Sequence, residues 1–356
     1  MREEYASSNA AREERPADAR EFAVFARRLL LLLLLLAASW LALYFAWRAV
    51  PHVRAGHQQI YDYKLSEIAG GEIFPQGAPE IRLVIFGNSR VQAGFRPDLF
   101  DELSGGAIHS YNLGLPATSS FLDELETLVA RGQVPTHVLL TLPWSEKEKT
   151  AYAKLLGDDH RLISTLFPFR HFFRDLGQFF VRAGRNGGIR AYYRHMAGLV
   201  AQARRDRGYF FIENQSHFPG HRLPADFHVA SESPDEEWAR PASASSPHLE
   251  RLLSLSRRAG FKVLLVPEYY REAQYAPASE YPKGRSALAQ YGVLLLGPNY
   301  WRYPNRFFSD PTHLNREGAD LHTRNLWQLV EPHILGEAPI EGHQEPTHGQ
   351  PAEEKP

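Results

Sequence analysis

Nineteen consecutive residues, Leu29 to Trp47, carry no charge, and the first eight of them are leucine. Such a stretch has no polar face to turn toward water, so it does not fold as the amphipathic helix of a soluble domain. At about 1.5 Å per residue a helix of this length covers roughly 28 Å, close to the hydrocarbon thickness of a bilayer. Eight leucines at about −0.5 kcal/mol each favour insertion by roughly 4 kcal/mol. Trp40, Tyr44 and Trp47 give the far end of the run the rings of an interfacial belt. We read residues 29–47 as a transmembrane helix whose partner is membrane lipid. A cleavable signal peptide is the competing reading, since Arg27 and Arg28 precede the apolar run. That run is longer than an ordinary signal core, and Tyr44, Phe45, Trp47 and Arg48 follow in place of a small-x-small cleavage site.

Orientation follows from the arginines. Six precede Leu29 (Arg2, Arg12, Arg15, Arg20, Arg27 and Arg28), whereas Arg48, Arg54 and Lys64 follow Trp47. The positive-inside rule then makes residues 1–28 a cytoplasmic tail and sends everything after about Arg48 outside. The expected location is the cell (inner) membrane, single-pass, with an extracytoplasmic, periplasmic main domain. Forty basic and forty-one acidic residues leave a formal charge of −1, so no whole-chain excess draws in nucleic acid, and none is expected as a partner. The chain has no cysteine, which removes disulfides, thiolate catalysis and cysteine-based metal sites.

After a juxtamembrane stalk, read over residues 48–79, the pattern becomes one of alternation. Ile81 to Gly87 is a short apolar run ending in glycine, as a buried strand does. A brief helix at Pro97 to Leu103, a strand at Ala107 to Gly114, a helix from Ser119 to Ala130 and a strand at His137 to Leu142 follow. Residues 146–207 break the cycle with an aromatic, arginine-rich helical insertion, and Tyr209 to Glu213 is a possible further strand. The alternation resumes with helix Pro247 to Ala259, strand Phe261 to Val266, strand Val293 to Leu296 and a last helix, Asn315 to Glu331, capped by Asn315. Strand alternating with helix predicts a central parallel sheet over residues 80–335. Residues 336–356 hold little apolar content and read as disordered.

Open parallel sheets present ligands beyond the carboxyl ends of their strands. There the sequence sets Gly87-Asn88-Ser89-Arg90 after the first strand, Asn112-Leu113-Gly114 at the end of the second, and Ser309-Asp310-Pro311-Thr312-His313 before the last helix. A serine hydroxyl needs a neighbouring base to act as nucleophile, and an imidazole base needs a carboxylate to fix its tautomer. Ser89, His313 and Asp310 supply those three roles. Backbone N–H groups at Ser89 and Gly114 are candidate oxyanion donors, and Asn112, Arg90 and Trp144 join them as candidate substrate-binding residues.

These three segments resemble the first, second and fifth blocks of the SGNH/GDSL hydrolase superfamily, over roughly Ile81 to Val330. The resemblance implies a flavodoxin-like three-layer α/β sandwich. It also implies Ser89 as nucleophile, Asp310 and His313 as its partners, and Gly114 as an oxyanion donor. The third block of that family brings an asparagine, whereas this chain reads Leu140-Thr141-Leu142-Pro143-Trp144-Ser145. Losing one oxyanion donor costs about 3 to 4 kcal/mol of transition-state stabilisation. An anchored domain of this kind is similar to membrane-tethered proteins of polysaccharide O-acetylation, alginate acetylation among them, and to D-alanyl-transfer-associated proteins. The function so implied is a serine esterase or O-acyltransferase acting on acyl esters of a cell-surface or exported polysaccharide. Its partners would be an acylated or acyl-accepting glycan and, in some such systems, a membrane-bound acyl-donor protein, with no cofactor. The alternative is a catalytically inactive scaffold or glycan-binding component of an envelope assembly complex.

Between Arg161 and Arg207 stand ten arginines and two acids, Asp175 and Asp206. The readings are a solvated helix face, contact with anionic lipid, or contact with an acidic glycan. His217, His221 and His228 match no compact metal motif, and no metal is expected. Tyr192-Tyr193, Tyr269-Tyr270 and Tyr300-Trp301 are candidates for stacking on sugar rings.

Overall fold

A computed structural model describes residues 15–54, 56–115, 121–142, 166–210, 216, 218–229, 247–274, 293–298 and 300–336. In chain order the elements are α1 (Arg15–Ala49), α2 (Gly56–Gly70), β1 (Ile81–Gly87), α3 (Ser89–Gly94), α4 (Pro97–Leu103) and β2 (Ile108–Gly114). Then come α5 (Leu122–Ala130), β3 (His137–Leu142), α6 (Phe172–Arg185), α7 (Ile189–Arg205) and α8 (Pro247–Ala259). The chain closes with β4 (Lys262–Arg271), β5 (Val293–Leu295), β6 (Tyr300–Tyr303) and α9 (Arg316–Ile334). It divides into two units, Met1–Arg54 with Thr150–Ile189, and Ala55–Lys149 with Arg190–Pro356.

The first unit is built on α1. Its segment Glu21–Ala49 holds an 18-residue stretch with a mean hydropathy of 2.5 and is long and apolar enough for a membrane span or a signal sequence. Trp40 stacks on Tyr44 one turn later, and its indole N–H donates to the Leu166 carbonyl at 2.6 Å. Phe169 meets the same indole edge-on. The α6 helix packs on the 3₁₀ turn Pro51–Val53 that follows α1.

The second unit is a parallel sheet, as the alternation of elements predicted, and its order β2-β1-β3-β4-β5 is the flavodoxin-like one that the family resemblance implied. Side chains alternate across each strand, so the two faces carry separate cores. On one face Val84 and Phe86 of β1 meet Leu113 of β2 and Val138 and Leu140 of β3, covered by Leu122, Leu125 and Leu128 of α5 and Leu249 and Leu252 of α8. On the other, Leu83, Ile85, Leu139 and Leu264 lie under Val91 and Phe95 of the α3 turn, Phe100 of α4, and Leu326, Trp327 and Val330 of α9. Each fully buried leucine contributes about 2 kcal/mol. The strand order reverses between β1 and β3, the switch point at which such sheets open a crevice.

Three expectations need correction. Residues 48–79 are not a stalk throughout. The α2 helix buries Ile60, Tyr63, Lys64 and Ile68, and Ile68, Ile73 and Phe74 join the core with Val84 and Phe86. The helix ends at Gly71, whose φ of +72° only glycine adopts cheaply. The insertion at 146–207 is not one piece either, because α6 belongs with α1 whereas α7, its first residue apart, belongs with the sheet. Finally, β4 runs on past Val266 to Arg271, and its outer half pairs in parallel with β6, a strand that the sequence reading did not include. Tyr209 and Phe210 are irregular backbone, while residues 211–213 of that expected strand and the tail after Gly336 lie outside the described residues.

Candidate active site

The turn after β1 is shaped by crowding. A Cβ at Gly87 would lie 2.3 Å from Val91 Cγ2 and 2.9 Å from Thr141 Oγ1, so only glycine lets α3 start this close to the sheet. Asn88 is the N-cap of α3, and its Oδ1 accepts from the Arg90 N–H at 2.8 Å. Its amide nitrogen donates to Glu268 Oε1 at 2.8 Å. Ser89 is thereby the first residue of a helix pinned at both ends of its cap. Its own N–H is one of those that a helix start leaves unbonded within the helix.

The loop before α9 is folded by Asp310. One carboxylate oxygen, Oδ1, accepts from the backbone N–H groups of Thr312 at 2.7 Å and His313 at 2.8 Å. The other, Oδ2, stands 2.8 Å from His313 Nδ1. The opposite ring nitrogen, Nε2, stands 2.9 Å from Ser89 Oγ. Two residues separated by 224 positions thus meet at hydrogen-bond distance. Burial pushes the Asp310 carboxyl up, but the His313 ring and the two amides outweigh it and hold it below the ordinary aspartate range. An ionised Asp310 places the imidazole proton on Nδ1, which leaves Nε2 to accept from the Ser89 hydroxyl. Ser89, Asp310 and His313 are all half-buried.

Behind these three lies a residue that sequence reasoning missed. Glu268, on the outer half of β4, is buried; it accepts from Asn88 and from the Tyr270 hydroxyl and sits 3.6 Å from Arg90. Burial raises its carboxyl above the ordinary glutamate range, against the pull of Arg90. Three positions on, the fully buried Arg271 donates from Nε to the Pro311 carbonyl at 2.9 Å. One strand therefore holds both halves of the site. The only sequence signal was a charged pair, Glu268 and Arg271, flanking two tyrosines.

Other expected residues take different roles. The Gly114 N–H, expected at an oxyanion, donates to Asn112 Oδ1 at 2.9 Å. A Cβ at Gly114 would lie 2.4 Å from the Gln92 backbone nitrogen, so this glycine serves the close approach of α3 to β2. Asn112 is wholly buried and does not face a substrate; its amide donates to the carbonyls of Val91 and Phe95 at 2.9 and 2.7 Å. Lys64, read as part of the stalk, is buried and donates to the Gly114 carbonyl at 2.5 Å, and burial holds its ammonium well below the ordinary lysine range. Arg90 lies over the Tyr270 ring at 4.4 Å as well as beside Glu268. Trp144 lies outside the described residues. Tyr269 and Tyr270 are buried, with hydroxyls bonded to Arg90 O and Glu268, so they do not stack on a sugar. Tyr192, Tyr300 and Tyr303 are buried as well, and Trp301 packs on His322.

His221 gives its carbonyl to Asn315, and His228 contacts the Asp226 carbonyl, while His217 lies outside the described residues. Among the described residues no group of three or more His, Asp or Glu side chains is arranged to hold a metal ion. Comparison with family models, curated proteins and solved structures returned no match.

Proposed function

We propose that this chain is a membrane-anchored, SGNH-like serine esterase or O-acyltransferase, acting on acyl esters of a cell-surface or exported polysaccharide. The observation that carries the reading is the hydrogen-bonded line from Ser89 Oγ through His313 to Asp310. In the first step Ser89 Oγ forms a bond to the acyl carbonyl carbon while its proton passes to His313 Nε2. Asp310 holds Nδ1–H and stabilises the resulting imidazolium. The Ser89 N–H faces the developing oxyanion. Collapse breaks the bond to the leaving alcohol, which takes the proton back from His313. A second hydroxyl, from water or a sugar, then repeats the steps in reverse and discharges the acyl-serine. The apolar segment of α1 anchors the domain in this reading, with the sheet unit on the outer side.

One observation favours a catalytically silent scaffold instead: the Gly114 N–H is already bonded to Asn112, and the third strand brings no asparagine to replace it. The test that separates the two uses full-length protein in nanodiscs with a fluorophosphonate probe and a small acyl ester. The enzyme reading expects covalent labelling at Ser89 and turnover, both lost in Ser89→Ala and His313→Ala. A correctly folded protein with no labelling and no turnover above the Ser89→Ala background would leave the scaffold. Adding a polysaccharide acceptor then distinguishes hydrolysis from transfer by where the acyl group appears.

A further inference from the structure

The helix α6 divides into three sectors around its axis at 100° per residue. Asp175, Phe179 and Ala183 form the buried sector. Beside it, Phe173, Phe180 and Val181, with Gly177 and Gly184 between them, make a sector that is apolar yet exposed, Phe173 at 69% and Val181 at 59%. The third sector carries Arg174, Arg182, Arg185 and Gln178 and is exposed too. The preceding turn adds exposed Leu166 and Phe167. A soluble surface does not gather five large apolar side chains on one stretch without covering them. Apolar and arginine-rich sectors side by side are the pattern of a helix that lies in a membrane interface.

The position of this surface says which membrane. Leu166 and Phe169 are fixed to Trp40, and α6 packs on Pro51–Val53, so the surface stands beside the last turns of α1. Those turns carry Trp40, Tyr44 and Trp47, and the Arg54 guanidinium lies over the Trp47 ring at 4.2 Å. That is the depth of lipid headgroups if α1 spans. We infer that the Leu166–Phe167 turn and the Phe173, Phe180 and Val181 face of α6 insert into the outer interface of the bilayer crossed by α1, with Arg174, Arg182 and Arg185 on anionic phospholipid headgroups. The inference rests on α1 spanning the membrane, and it does not depend on the chemistry of Ser89. Its consequence is a second attachment, so that the unit meets the membrane through a patch as well as a rod.

The absence of cysteine makes the test direct. Single substitutions Phe180→Cys, Val181→Cys and, within α1, Leu33→Cys each carry a polarity-sensitive fluorophore in full-length protein reconstituted into nanodiscs. The discs are phosphatidylcholine with or without phosphatidylglycerol, doped with lipids bearing a nitroxide near the headgroup or near the chain end. The expected result is several-fold stronger quenching of the labels at 180 and 181 by the shallow nitroxide than by aqueous iodide, and quenching of the label at 33 by the deep one. Phosphatidylglycerol strengthens the shallow quenching, and a variant with Arg174, Arg182 and Arg185 all changed to Gln loses that increment. Iodide quenching at both 180 and 181 overturns the inference, with the face in water. Labels shielded from lipid and iodide alike overturn it too, with the face covered by protein such as a second copy. A label at 33 that no lipid quenches removes the span itself, a failure separable from the other two.

Discussion

Removing a nucleophile or its base costs far more than removing a contact, because the two act as one unit. Ser89→Ala is expected to lower turnover of a small acyl ester by roughly 10⁵-fold, and His313→Ala by a similar factor, without a change in folding. Asp310→Asn tests a subtler point. The asparagine keeps the shape but offers its N–H₂ or its oxygen to Nδ1 without a charge, so the imidazole loses its fixed tautomer and activity falls by roughly 10⁴-fold. Glu268 is a positioning residue, and its test is rescue. Glu268→Ala removes the carboxylate that the half-buried Asn88 amide and the buried Tyr270 hydroxyl donate to, at about 2 kcal/mol in stability and a comparable loss in the rate of fluorophosphonate labelling. Glu268→Gln keeps one acceptor oxygen in place and recovers most of both. Equal behaviour of the two variants would remove the positioning role. At this scale the three residues that meet at hydrogen-bond distance, Ser89, His313 and Asp310, were legible in the sequence, since each stands in a short motif next to a strand end or helix start. Glu268 and Arg271 were not, because a buried charge announces itself only through partners 180 and 40 positions away.

At the scale of elements, the distance between α3 and β2 is set by one missing methyl. Gly114→Ala would drive a Cβ into the Gln92 backbone, which cannot swing aside as a side chain does. The helix that starts with Ser89 must shift, so the variant is expected to lose about 1–3 kcal/mol and most of its labelling. Gly198→Ala in α7 is the contrasting case. Its Cβ would meet open space, and alanine in an exposed helix interior is worth about 0.5–1 kcal/mol over glycine. Midpoints of thermal unfolding for the two variants should therefore move in opposite directions. Strands β1 and β3 were legible as apolar runs because both faces of the sheet are covered. The α2 helix was hidden because Lys64 and Glu67 read as solvent-facing, and their burial depends on the Gly114 carbonyl and on Arg204. The outer half of β4 was hidden in the same way: Pro267 and Glu268 look like the end of a strand until β6 is there to pair with it.

Over the whole molecule, two buried imidazoles contribute to how stability responds to acid. His322 is enclosed by Tyr269, Trp301 and Tyr303, and burial pushes its ring from the ordinary 6.5 down to about 3. His137, at the start of β3, is pushed down to about 4 by burial and by Lys262. In the unfolded chain both take up a proton near 6.5, whereas in the folded protein neither does until pH approaches those lower values. The unfolded state therefore binds more protons in that window, and stability must fall as pH drops through it. The slope is about 1.4 kcal/mol per pH unit for each histidine. Glu268 works the other way above its ordinary 4.5, because the folded state keeps a proton that the unfolded state has lost. The contribution of the histidines is thus a difference between variants, not the raw slope. Denaturant unfolding of the detergent-solubilised chain, followed by the emission of tryptophans that include Trp327 in the core, should show wild type losing stability between neutral pH and about pH 5. His137→Gln and His322→Gln should each flatten that loss by about 2 kcal/mol over the same range. Asp310 responds to acid with the same sign in a lower window: held below its ordinary 3.8, it contributes stability that is lost only as pH falls below that value, so its pairing with His313 outlasts the range where the core histidines already weaken the fold. Parallel curves for wild type and both variants would mean that these rings are not held neutral, and the acid response would have to come from elsewhere in the chain.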